Sequence, residues 1–141
     1  MSDSSGEGAL AYKDPISFKN TSYQLGKKSD IFSLGVILWE VSSGKVPCGG
    51  CTEADDIIAR RLKGFRDFSS SGTPEEYINI YSECWHDDPD NRPICEKVYE
   101  RLKSCDELEY FNRLLKEKPN DAWALTKRGR TYICRKILTK R

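Results

Sequence analysis

A continuous apolar run in the first third of the chain constrains its fold more than any other feature. Eight of the eleven residues from 31 to 41 are apolar, so a helix formed here would be buried on every side. The run is too short to span a bilayer, which takes about 20 residues. Ser29 or Asp30 is predicted to cap this helix, and Gly44 is predicted to end it. The chain is therefore expected to fold around a central helix over 30–43.

Three motifs in order along the chain resemble the C-terminal lobe of eukaryotic protein kinases. The run S-D-I-F-S-L-G-V-I-L-W-E at 29–40 is similar to the large central helix of that lobe. Upstream, G-A-L-A-Y-K-D-P at 8–15 resembles the end of an activation segment. Downstream, C-W-H-D-D-P-D-N-R-P at 84–93 resembles the signature C-W-x-x-D-P-x-x-R-P. The style is that of tyrosine-kinase-like enzymes. The resemblance implies a mainly α fold, with a fragment of a kinase-like C-terminal lobe over 1–105.

The resemblance implies structural rather than catalytic roles for the residues that carry it. In intact kinases a residue placed like Asp30 holds the catalytic loop. A residue placed like Arg92 pairs, largely buried, with the glutamate of an Ala-Pro-Glu triplet. The corresponding triplet here is Asp14-Pro15-Ile16, so Arg92 is expected to meet an isoleucine and to turn towards Asp14, Asp88 or solvent. The expected landmarks of the kinase fold are Tyr12, Asp14, Pro15, Asp30, Gly35, Trp85 and Arg92.

The groups with which a kinase holds ATP and its metal do not occur in this sequence. Those groups are a glycine-rich loop, a strand lysine, an Asp and an Asn of the catalytic loop, and a metal-binding Asp. The only histidine is His86, so there is no H-R-D motif, and neither D-F-G nor G-x-G-x-x-G occurs. No catalytic, cofactor-binding or metal-binding residue is therefore expected, with ATP and Mg confined to a full-length relative. The chain as written is expected to be a truncated, pseudokinase-like domain without enzyme activity.

Charge and cysteine usage narrow the class of partner and the compartment. The 23 basic and 22 acidic residues balance, so neither nucleic acid nor a membrane is expected as a partner. The polar N-terminus does not resemble a signal peptide, which favours a cytoplasmic location, where thiols stay reduced. Cys48 and Cys51 have zinc-ligand spacing, but a structural zinc needs four ligands and no second such pair follows. Reduced thiols in a loop are favoured over a zinc site or a redox pair.

Apolar spacing predicts further helices after the central one. The resemblance to the end of an activation segment implies a short helix before the central one, near 15–18. A polar helix over 53–62 is closed by Gly64. The next helix opens with a capping box at 73–76 and ends at Trp85, and another starts at Pro93. The residues predicted on their apolar faces are Ile57, Ile58, Arg61 and Leu62; Tyr77, Ile80, Tyr81 and Cys84; and Ile94, Val98 and Leu102.

Residues 106–141 are predicted to form a second unit, a helical hairpin. Pro119, Ala122, Leu125, Gly129 and Tyr132 follow a spacing that resembles the end of one tetratricopeptide repeat and the first helix of the next. Such arrays need about three or more repeats to bury their faces, so this repeat would be partial. An ordinary helical hairpin that trails the lobe is the alternative.

These features together favour a signalling protein that has kept only protein–protein binding, through the polar helix at 53–63. Two other functions stay open. The chain could come from a fragmentary gene model of an active, ATP-dependent protein kinase in signal transduction. It could also be an interaction scaffold in which the helical repeats bind the partner. Other proteins are the expected partners in the first and last cases.

Overall fold

The computed structural model describes residues 9–105, and this part of the chain is helical without any strand. Two short 3-10 turns, Leu10–Tyr12 and Pro89–Asn91, accompany the α-helices. The predicted hairpin and tetratricopeptide-like segment lie outside the described residues. No helix of the described part is long and apolar enough to cross a membrane. The five α-helices are α1 (Ile16–Lys19), α2 (Lys27–Ser43), α3 (Ala54–Leu62), α4 (Glu75–Cys84) and α5 (Cys95–Ser104).

The central helix α2 forms where the apolar run predicts it, but it begins earlier than expected. Its N-cap is Gly26, and no side chain caps it, so the predicted capping by Ser29 or Asp30 is wrong. Ser29 instead lies within the first turn, and its hydroxyl donates to Asp14 at 2.9 Å. The C-terminal prediction is confirmed, since Gly44 ends the helix with φ 68°, a conformation that favours glycine.

The main core lies between α2 and α4. Phe32 and Val36 on α2 are fully buried, as are Tyr77 and Ile80 on α4. Gly35 lets the two helices approach closely, because a Cβ added there would lie 2.8 Å from the Cβ of Cys84. The expectation that α2 is buried on every side holds for most of its surface, although Leu34 and Ile37 are only partly buried.

The flanking helices follow the predicted periodicity better than the predicted end signals. The residues expected on the apolar face of α4 (Tyr77, Ile80, Tyr81 and Cys84) are all buried, and the helix ends at Cys84 with the predicted end residue, Trp85, as its C-cap. The capping box is wrong, because the hydroxyl of Thr73 donates to the carbonyl of Ser70 rather than to the helix. Helix α5 begins at Cys95, and Ile94, predicted on its apolar face, is 57% exposed.

Candidate functional site: a surface joined through buried arginines

A buried ion pair joins the segment before α1 to the loop before α5. Arg92 donates to both carboxylate oxygens of Asp14, at 2.8 and 3.0 Å, and neither side chain is exposed. Of the three alternatives that the sequence left for Arg92, the structure therefore selects Asp14. Arg92 does not lack a carboxylate, because Asp14 supplies one two positions before Ile16.

All five N–H donors of the Arg92 guanidinium have acceptors. Besides the two bonds to Asp14, its Nε donates to the His86 carbonyl at 2.8 Å. The remaining two donors reach the carbonyls of Lys28, at 3.0 Å, and Asp87, at 3.4 Å. Because every donor is used, Arg92 ties the start of α2, the loop after α4 and the segment before α1 together.

Asp14 is held in its charged form by several donors. The backbone N–H of Ile16 donates to its Oδ1 at 3.2 Å, and the Ser29 hydroxyl donates to its Oδ2. Burial by itself raises the pKa of Asp14, but the hydrogen bonds from Arg92, Ile16 and Ser29 outweigh burial. The net pKa therefore lies below the ordinary value of 3.8. The ion pair is thus charged at neutral pH.

A second arginine, Arg66, which the sequence did not single out, packs on the same aromatic ring as Arg92. The Arg66 guanidinium lies 5.1 Å from the centre of the Phe32 ring, and so does that of Arg92, so both cations contact this one buried aromatic side chain. Arg66 also donates twice to the Trp85 carbonyl, at 3.0 and 2.8 Å, and pairs with Asp87 at 2.7 Å. Burial lowers the pKa of Arg66, and the nearby Asp87 opposes that shift. Two cations packed on one phenylalanine leave no signal in local sequence spacing.

Helix α3 is fastened to the segment at 10–12 by Arg61. The sequence placed Arg61 on the apolar stripe of this helix, and the side chain is indeed fully buried. Its Nε and Nη2 donate to the Ala11 carbonyl at 3.2 and 2.9 Å, and its Nη1 donates to the Phe65 carbonyl at 3.0 Å. The nearest carboxylate, that of Asp67, lies 3.8 Å away. Arg61 is therefore a polar anchor between α3 and the chain before α1.

The opposite face of α3 is exposed and carries both signs of charge. Asp55 and Asp56 lie in its first turn and Arg60 in its last, an order that suits the helix dipole. Ala59 is exposed between them, and Leu62 is 36% exposed. The sequence predicted Leu62 on the buried stripe, whereas Ile57 and Arg61 are the members of that stripe that are buried. The Arg60 guanidinium lies 5.3 Å from the centre of the Phe65 ring, at the C-terminal end of this face.

The remaining landmarks lie around these anchors without forming a single centre. The Tyr12 hydroxyl donates to Glu40 at 2.5 Å, and the Tyr12 carbonyl accepts from Ser33 at 2.7 Å. Pro15 is the residue immediately before the first turn of α1. Asp30 is exposed in the first turn of α2. Gly35 and Trp85 meet at the contact between α2 and α4.

Within residues 9–105 no group of three or more His, Cys, Asp or Glu side chains could hold a metal ion. Cys48 is buried and Cys51 partly buried, and both are free thiols. These observations concern the described residues alone, and the expectation that the chain uses no cofactor stays a prediction.

Comparison with known proteins defines the class to which this fold belongs. The sequence model of the family described as protein tyrosine and serine/threonine kinase matches residues 3–102. The match covers well over half of the 141 residues, so the chain belongs to this family. The resemblance that the three motifs carry is thereby confirmed at the level of the kinase domain.

Individual relatives lie within the same family. The chain is 30% identical to the human mixed lineage kinase domain-like protein, over 68% of this chain and 20% of that protein. It is 33% identical to the probable serine/threonine-protein kinase drkA of Dictyostelium discoideum, over 73% of this chain and 16% of that protein. Human tyrosine-protein kinase FRK is 35% identical over 54% of this chain and 15% of its own length. The chain thus spans a fifth or less of these relatives.

Proposed function

We propose that this chain acts as a protein-binding piece of a kinase-like domain and does not itself transfer phosphate. The family membership supports the kinase-like part of this proposal. The binding part rests on one observation: the buried side of α3 is anchored by Arg61 to Ala11, while its other side is exposed and charged. An anchored helix loses little conformational freedom when a partner binds to it, which favours affinity.

The partner surface that fits α3 carries charges in the reverse order. The exposed face presents carboxylates at its N-terminal end and basic groups, including Arg60 and Lys63, at its C-terminal end. A partner surface with basic groups opposite Asp55 and Asp56 and acidic groups opposite Arg60 would match this polarity. Ala59 lies at the middle of the face and allows close approach, since its side chain is small.

The proposal is tested by placing a bulky cation in the middle of the exposed face. Ala59→Arg should abolish selective binding of a protein partner, measured by quantitative crosslinking and then with the purified partner. Ser82→Arg is the matched control, because Ser82 is also an exposed small residue on a helix, on α4 instead of α3. Partners that are lost with Ala59→Arg and kept with Ser82→Arg support the proposal. Equal loss with both variants, or loss with neither, refutes it.

A second candidate function is that of a part of an active, ATP-dependent protein kinase. The observation that favours it is that the chain spans a fifth or less of relatives whose names describe serine/threonine or tyrosine kinases. Reading the genomic frame upstream of Met1 separates the two candidates, since H-R-D and D-F-G motifs found there would restore the enzyme. We keep the division into a lobe over 1–105 and a tetratricopeptide-like segment over 106–141 as part of the proposal. Further repeats of about 34 residues downstream of Arg141 would favour a scaffold.

A further inference from the structure

Two cysteines close a tight turn in the loop between α2 and α3. The backbone N–H of Cys51 donates to the Cys48 carbonyl at 3.0 Å, which is the hydrogen bond of a four-residue turn. The first and fourth Cα atoms of such a turn lie within about 7 Å of each other. A disulfide joins Cα atoms that are about 4.4–6.8 Å apart. The backbone therefore already holds these two residues at a distance that a disulfide can bridge.

Both side chains also take part in the packing of one small core cluster. Cys48 belongs to a small core cluster with Ala11 and Ile57, and Cys51 packs against the same cluster. Cys48 has φ 53° and is the non-glycine residue with a positive φ among residues 9–105. A non-glycine residue in this left-handed conformation is uncommon, and such backbone strain concentrates at functional positions.

We propose that Cys48 and Cys51 are a modification site at which a reversible disulfide forms in response to a small-molecule disulfide oxidant such as glutathione disulfide. Cys51 is the more exposed thiol and meets the oxidant first, because Cys48 is only 2% exposed. The Cys51 thiolate attacks one sulfur of the oxidant and releases one glutathione thiolate. Burial raises the pKa of the Cys48 thiol, so Cys48 gives up its proton as its sulfur attacks the Cys51 sulfur and releases the second glutathione. The protein loses two protons and two electrons, and glutathione disulfide is reduced to two glutathione molecules.

The turn is connected to the buried side of α3. The Cys48 backbone N–H donates to both carboxylate oxygens of Asp67, at 3.1 and 3.2 Å. Asp67 in turn lies 3.8 Å from Arg61, which holds the Ala11 carbonyl. A disulfide would stiffen the turn at one end of this chain of contacts. The modification is proposed independently of protein binding, and its test measures the thiols alone.

The test uses the full chain, equilibrated in buffers of graded ratio of glutathione to glutathione disulfide, then alkylated and analysed by mass spectrometry. The peptide that contains both residues should lose two hydrogen atoms and escape alkylation. The measured quantity is the ratio of glutathione to glutathione disulfide at which half of this peptide is oxidised. This ratio should be at least about tenfold higher, and so more reducing, for the folded chain than for the chain unfolded in urea. Cys95→Ser, at a cysteine that is only partly buried, should leave this ratio unchanged, whereas Cys51→Ser should abolish the disulfide.

Three outcomes would overturn the proposal. The first is complete alkylation of both residues at every glutathione ratio. The second is a mixed disulfide of glutathione with Cys51 that Cys48 does not resolve, which would mean that the two sulfurs do not meet. The third is the same half-oxidation ratio in the folded and the unfolded chain, which would mean that the turn does not favour the disulfide.

Discussion

Replacing Asp14 by asparagine is the most direct test of the buried pair on which this part of the fold depends. Both side chains of the Asp14–Arg92 pair are 0% exposed, and removal of one partner from such a pair costs about 3–5 kcal/mol. Asparagine keeps one acceptor oxygen for the guanidinium, so we expect Asp14→Asn to lower the free energy of unfolding by about 2–4 kcal/mol. Urea denaturation followed by circular dichroism measures this loss. A loss below about 1 kcal/mol would show that the pair does not hold the segment.

The same pair can be tested by moving the carboxylate to position 16, where the kinase resemblance places it. In the wild type all five donors of Arg92 are used, so Ile16→Glu should change the free energy of unfolding by less than about 0.5 kcal/mol. In the Asp14→Asn background a donor is released, and Ile16→Glu should recover about 1–2 kcal/mol. Equal effects in the two backgrounds would mean that the carboxylate introduced by Ile16→Glu never reaches Arg92.

The pair also makes stability depend on pH in a defined direction. The folded-state pKa of Asp14 lies below 3.8, the value expected in the unfolded chain. Its contribution is therefore complete above the unfolded pKa and is lost as the pH falls through the lower folded pKa. The difference in stability between wild type and Asp14→Asn should thus stay constant from neutral pH to about pH 5 and shrink as the pH falls below 3.8. A difference that does not shrink at these lower pH values would contradict the charged state assigned to Asp14.

Three further predictions test the rest of the described fold. Arg61→Met should lower the free energy of unfolding by about 2 kcal/mol or more, because the Ala11 carbonyl loses two hydrogen-bond donors. The control, Arg60→Met at the exposed neighbouring position, should cost under about 0.5 kcal/mol, and similar losses in both variants would contradict the anchoring role of Arg61. Gly35→Ala should lower the free energy of unfolding by about 1–3 kcal/mol through overpacking, whereas Gly26→Ala should not, because a Cβ added at Gly26 has no atom within 4 Å. Urea denaturation distinguishes the two variants, and equal effects would refute the close approach of α2 and α4 at Gly35. Millimolar Mg-ATP should leave the melting temperature of the chain unmoved, and a saturable rise would refute the proposed lack of nucleotide binding, since ligand at about 100 times its Kd adds about 2.7 kcal/mol.

Local sequence predicted the helices because the information for them is local. The run of eight apolar residues among the eleven from Ile31 to Val41 is longer than a typical buried strand and favours a buried helix. The spacing of Tyr77, Ile80, Tyr81 and Cys84 likewise predicted which face of α4 is buried. For α4 the signal is a period of about 3.6 residues, which helix geometry imposes on a half-buried sequence, whereas for α2 the signal is the nearly unbroken apolar run itself.

The caps and polar partners could not be predicted in the same way, since several groups compete for each donor. Ser29 is a good capping residue by type, but its hydroxyl donates to Asp14, which lies fifteen positions earlier in the chain. Thr73 fits a capping box, yet its hydroxyl donates to the Ser70 carbonyl instead. Such choices are decided by which arrangement leaves the fewest buried polar groups without partners, and that depends on the whole fold.

The sequence by itself determined the kinase-like family, the central helix and the buried face of α4, which packs on it. Tertiary structure alone decided that Asp14 supplies the carboxylate for Arg92 and that Arg61 turns inward to Ala11. It also brought the Arg66 and Arg92 guanidinium groups into contact with Phe32. The physical reason is range: helix formation and apolar periodicity act between neighbours, whereas a buried cation is stabilised by whichever acceptors the folded chain brings to it.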